Sequence, residues 1–110
     1  MIAVVSQAWL YPGELHASEY ERLSDEFVDF HRRHAGYRGR RLLFGLDDPT
    51  HVINIRFFDS VADYEELIAF EGYGARIDEL SQHLDLGRPP QKEYVEVHGA
   101  LDLRGEPPLP

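Results

Sequence analysis

The sequence contains no cysteine, which excludes a disulfide framework, thiolate zinc sites, iron–sulfur clusters and a cysteine nucleophile. No apolar run approaches the roughly 20 residues that a membrane-spanning helix needs. Cations are scarce: 11 Lys and Arg against 20 Asp and Glu give a formal charge of -9. That balance disfavours nucleic acid or an anionic membrane as a partner. The opening IAVVSQAWLY is apolar but has neither a basic n-region nor a small-residue cleavage site. It reads as structure, and a cytoplasmic location is expected.

What is present suits one hydrophobic core. The chain has 110 residues, the commonest size for a single domain. Hydrophobic residues make up 43%, including six Phe, six Tyr and one Trp, enough to fill such a core without staples. Five of the 11 basic residues (Arg32, Arg33, Arg38, Arg40, Arg41) fall within ten positions. They read as a helix C-terminus, where the dipole favours cations, running into a solvated loop, with an anion-binding role as the alternative.

Residues 2–11 are rich in β-branched and aromatic types and stop at Pro12-Gly13, which marks a first strand. Ser18 and Glu21 have capping-box spacing, and Tyr20, Leu23, Phe27, Phe30 and His34 follow at steps of three and four. A helix is therefore expected from Ser18 to the Gly36 stop. Residues 39–46 and 51–59 flank the turn Asp47-Asp48-Pro49 and read as a hairpin. Ser60, with Asp63 three residues on, opens a second helix whose inward side is Val61, Tyr64, Leu67 and Ile68. Gly72 and Gly74 interrupt it before the stripe resumes as Tyr73, Ile77, Leu80 and Leu84. A last strand is expected over 92–103, and 104–110 form a Pro-rich tail, leaving 1–103 as the domain.

The order β-α-β-β-α-β is ferredoxin-like, an α+β fold with a four-stranded antiparallel sheet. Helices cover one face of that sheet, and a second copy is the simplest cover for the other. A homodimer is expected through the sheet faces of strands one and three, with Val4, Ala8, Ile53 and Ile55 in the interface.

The stretch DDPTHVINIRFFDSVADYEEL (47–67), with its aromatic pair before a Ser-capped helix, resembles the antibiotic biosynthesis monooxygenase family of dimeric α/β barrels. The resemblance spans about residues 2–101. It implies cofactor-free oxidation of an aromatic polyketide-type phenol or anthrone by O₂, with no metal and no cofactor. An electron-rich substrate anion can itself pass an electron to triplet O₂. The protein then has to hold the rings, relay a proton, stabilise an oxyanion and exclude water. A non-oxidative isomerase, cyclase or lyase would use the same groups, and a non-catalytic ligand-binding module remains a third reading. Haem-degrading relatives pair an Asn on strand one with a Trp and a His in the second helical region. Here Gln7 replaces that Asn and the only Trp is Trp9, in a strand.

Two polar residues inside the apolar third strand, Asn54 and Arg56, stand out, because burying each without a partner costs about 1–3 kcal/mol. They either line a wet pocket or sit at a sheet face paired with acids, and either could hold an oxyanion. His34 and His98 are the candidate bases; a His at the end of the first helix can equally serve as a cation complementing the dipole. Gln7 and Trp9 share a strand face from which Trp9 could stack on a ring. Phe27 lies on the first helix's stripe, Tyr64 and Tyr73 would close over a planar ligand, and Arg76 sits beside the stripe of the second helical region. A flat apolar pocket with few polar groups is the expected site.

Overall fold

The computed structural model describes residues 1–98, so the expected tail at 104–110 and the strand end at 99–103 lie outside the described residues. The strands are β1 (Ile2–Trp9), β2 (Tyr37–Phe44), β3 (His51–Phe58) and β4 (Gln91–Glu96). The helices are α1 (Glu14–His31), α2 (Val61–Ala69) and α3 (Tyr73–Ser81). The sheet is wholly antiparallel in the order β2-β3-β1-β4, the ferredoxin-like arrangement with its second helical region split in two. No helix among the described residues is long and apolar enough to cross a membrane.

Register fixes which side chains meet the helices. Ile2, Val4, Ser6 and Ala8 of β1 stand opposite Phe58, Arg56, Asn54 and Val52 of β3. Successive side chains alternate between faces. Val4, Val52 and Phe58 are fully enclosed and join Tyr20, Phe27, Phe30, Leu67 and Leu80 in one core, so this even-numbered face is the helix side. Val5, Ile53, Ile55 and Leu43 lie on the opposite face. This corrects the expected dimer surface: Ile53 and Ile55 belong to the uncovered face, whereas Val4 and Ala8 point into the core.

α1 begins four residues earlier than expected, directly after Gly13, and Ser18 makes no cap. Its hydroxyl instead donates to Leu15 O at 3.2 Å, the back-bond a serine makes inside a helix. The buried residues of α1 are Tyr20, Ser24, Phe27, Val28, Phe30 and His31, so Tyr20, Phe27 and Phe30 of the expected stripe face inward and His31 rather than His34 completes it. His34 lies beyond the helix end.

The cap expected at Ser60 is present. Its Oγ accepts from Asp63 N at 3.2 Å and donates to Asp63 Oδ2 at 2.8 Å. Asp63 in turn packs where a side chain on residue 36 would be, since a Cβ there would lie 2.2 Å from Asp63 Cγ. Gly36 therefore lets the β2 entry pass under α2. Ser60→Ala is expected to cost about 1 kcal/mol, which for a domain of this size lowers the melting temperature by about 4–8 °C. Calorimetry checks it; an unchanged melting temperature would show that the cap is idle. Gly72 caps α3 with φ 96°, a left-handed conformation that side chains resist, and this is where the second helical region breaks.

Candidate active site

Small residues on facing elements leave the centre of the helix–sheet layer unfilled. Ser6 and Ala8 on β1 and Ser24 on α1 are flanked by large side chains, and a cavity of about 370 Å³ opens between them. Phe27, Val28 and His31 of α1, and Tyr73, Ile77 and Leu80 of α3, form much of its wall. Ile68, Pro90, Gln91 and Lys92 form its more exposed edge.

Arg56 projects from the middle of β3 into this space and is only 6% exposed. Its Nη1 donates to Tyr73 Oη at 3.0 Å and to His31 Nε2 at 3.1 Å, and its Nη2 donates to Tyr64 Oη at 3.4 Å. The guanidinium also lies over the Tyr64 ring, 5.1 Å from its centroid. Among the described residues no carboxylate pairs with it, and its Nε has no partner. Asn54, two residues away on the same face, has a buried Oδ1 that is likewise unpartnered. A buried cation without a counter-ion is costly unless something else supplies negative charge.

The surrounding groups are tuned by that cation. His31 is enclosed, and burial followed by the Arg56 charge depresses its pKa to about 4. Its Nδ1 lies 2.7 Å from Phe27 O and must donate, leaving Nε2 to accept from Arg56. His31 is thus a neutral imidazole that orients the guanidinium. For Tyr64, burial alone would raise the pKa. Arg56, together with the hydrogen bond and charge of Lys92, outweighs burial and pulls the phenol below its ordinary range. Lys92 Nζ donates to Tyr64 Oη at 3.3 Å. Tyr73, which is farther from Lys92's influence, is instead pushed up by burial. Both phenols face one guanidinium, and Tyr64, which also meets Lys92, is drawn towards phenolate by the two cations.

His31 gives a stability test. Unfolded, it titrates near 6.5; folded, near 4. The unfolded chain takes up the proton first, so His31's contribution is complete above pH 6.5 and is lost as pH falls through about 4. Urea melts at pH 7, 5.5 and 4.5 should show a smaller loss of stability for His31→Gln than for wild type. Parallel losses would place the imidazole in an ordinary environment.

Of the expected site residues, Gln7, Phe27, Asn54, Arg56, Tyr64 and Tyr73 border the cavity. Four do not. Trp9 stands on the other sheet face, stacked on His51 at 5.0 Å and covered by the Arg88 guanidinium at 4.4 Å. Gln7 also turns that way, since its Oε1 accepts from His51 Nε2 at 2.9 Å. His34 packs against Phe70, ring centres 4.9 Å apart, with Nε2 buried and unpartnered. Arg76 lies over the Phe30 ring at 5.6 Å. His98, 80% exposed at its side chain, pairs with Glu96 at 3.0 Å. His31, Arg40, Ser24 and Lys92 border the cavity and were missed. Arg40 belongs to the basic cluster that the sequence leaves open between a solvated helix end and an anion-binding group.

The fold is that of the antibiotic biosynthesis monooxygenases. SnoaB, a cofactor-independent oxygenase from Streptomyces nogalater, superposes with a TM-score of 0.77 at 15% identity, covering 93% of this chain and 97% of that one. A protein described as an antibiotic biosynthesis monooxygenase superposes at 0.74 with 17% identity, over 90% and 100% of the two chains. A conserved protein from Methanosarcina mazei does so at 0.73 with 15% identity, over 84% and 88%. No protein-family model matches the sequence, and no curated protein matches it.

Proposed function

We propose that the chain is a cofactor-independent monooxygenase-like enzyme that oxidises a planar phenol or anthrone with O₂. The observation that carries this reading is the buried Arg56, which meets no carboxylate among the described residues and faces an apolar cavity between the hydroxyls of Tyr64 and Tyr73. In that setting a substrate oxyanion is favoured twice, by the cation and by hydroxyl donors that the cation polarises. Tyr64, the more acidic phenol, exchanges the substrate's proton and passes it towards the mouth beside Lys92.

The substrate anion transfers one electron to O₂, and the radical pair recombines to a peroxide at the reacting carbon. Loss of the remaining proton at that carbon and cleavage of the O–O bond leave a carbonyl and release water, so a methylene plus O₂ becomes a carbonyl plus H₂O. Tyr64 and Tyr73 supply hydrogen bonds to the oxygens, and Phe27, Val28, Ile77 and Leu80 exclude solvent. The SnoaB likeness supports the reading at the level of fold.

A second copy of the chain seals the sheet face carrying Val5, Ile53 and Ile55, giving the homodimer. Incubation with an anthrone under air and under argon tests the chemistry. Consumption of one O₂ per quinone formed is expected. Equal conversion without O₂ would overturn oxidation in favour of an isomerase or cyclase.

A further inference from the structure

The register of β2 and β3 places Arg40 directly opposite Arg56 on the helix side of the sheet. Like charges facing each other across a strand pair repel. Both side chains are nonetheless withdrawn from water, at 13% exposure for Arg40 and 6% for Arg56. Arg40 Nη2 is paired with Asp25 of α1, whereas Arg56 meets no carboxylate among the described residues. In each guanidinium the Nε is buried without a partner among the described residues. Both border the cavity, as does Lys92, and no Asp or Glu does so among the described residues. In a chain of net charge -9, a hollow whose charged lining residues, among those described, are all cationic is not a by-product of composition.

Two orphan Nε–H donors on adjacent strands call for an acceptor with two oxygens. The charge count limits it further. Arg40, Arg56 and Lys92 less the Asp25 carboxylate leave a net +2. One negative charge present at rest and one that develops during reaction would balance that. Apolar walls on α1 and α3 require the resident charge to be carried on a hydrophobic body.

We infer that the ligand is an aromatic carboxylic acid whose carboxylate is held between the Nε edges of Arg40 and Arg56, with the oxyanion forming on the side of the Arg56 guanidinium that meets Tyr64. This deepens the oxygenase reading and rests on it for the second charge only. Arg40 thereby sets specificity, and Asp25 competes with the ligand for it.

Calorimetric titration with anthracene carboxylate, its methyl ester and an anthracenyl phosphate tests the inference. For the wild type the acid is expected to bind about 10–100-fold more tightly than the ester, each tenfold being 1.4 kcal/mol. Arg40→Gln should reduce that advantage to about threefold or less while leaving ester binding in place. Asp25→Asn, which frees Arg40, should tighten the acid severalfold and leave the ester unchanged; this variant keeps the test open if Arg40→Gln does not fold. Equal affinity for acid and ester, or an advantage that survives Arg40→Gln, overturns the carboxylate site and leaves the oxygenase reading standing. Tighter binding of the phosphate overturns the assignment to a carboxylate. Failure of all three ligands to bind overturns both the inference and the cavity as a ligand site.

Discussion

Arg56→Met is expected to lower kcat/KM by about 10²–10³-fold, the loss typical of removing one group that stabilises developing negative charge. The size follows from where the charge sits. Arg56 is enclosed in a low-dielectric layer, touches Tyr64 and Tyr73, and among the described residues has no carboxylate to spend its field on. Methionine keeps the length of the stem beside Val4 on the neighbouring strand and removes the charge, so the stem's space stays filled while the hydroxyls lose their donor. Folding should survive. The desolvation of an unpaired cation disappears, and that gain opposes the loss of three hydrogen bonds at roughly 1 kcal/mol each. Steady-state kinetics with an anthrone, alongside a thermal melt, separate the two quantities. Full activity in the folded variant would remove Arg56 from the mechanism.

Tyr64→Phe is expected to lower kcat by about 10²–10⁴-fold, the range for losing a positioned acid–base group. Burial opposes ionisation of Tyr64, but Arg56 and Lys92 overcome it. The phenol therefore deprotonates at lower pH than a free tyrosine. The sign for the wild type follows: its rate rises with pH through a value below 10, as the base form of Tyr64 accumulates. The variant should lose that limb, and its residual rate should follow only the ionisation of the substrate itself. Lys92→Met should move the wild-type limb towards higher pH, because one of the cations favouring phenolate is gone. A pH–rate profile in Tyr64→Phe that matches the wild type would assign the proton transfer to another group.

The architecture was legible because strand and helix periods are distinct and the turns are marked by Pro, Gly and capping residues. Ser60 was read correctly as a cap, since Asp63 returns the hydrogen bond expected of that spacing. The same spacing at Ser18 misled, because Pro12-Gly13 had already released the chain and Ser18 lies within the first helix turns. The helix end then decided the histidines: α1 stops at His31, which faces inward, and His34 lies beyond it against Phe70. Asn54 and Arg56 were legible from one strand alone, as polar residues in an apolar run.

Trp9 was misplaced for a different reason. Both faces of β1 carry apolar residues, so the strand itself does not say which one meets the helices; the pairing with β3 decides it. The cavity was even less accessible to sequence. It arises because Ser6, Ala8 and Ser24 are small at positions that face one another only in the folded chain. Arg40 belongs to the same category, since its role follows from standing opposite Arg56, 16 residues further along the chain.

The most direct test of the central claim, that this hollow stabilises an aromatic oxyanion, is spectroscopic. A chromogenic hydroxyanthraquinone, mostly neutral at the chosen pH, is titrated with the protein while its absorption spectrum is followed. The phenolate band should grow as the wild type binds and should stay absent when Arg56→Met binds the same dye. A bound dye that keeps its neutral spectrum in the wild type would contradict the account.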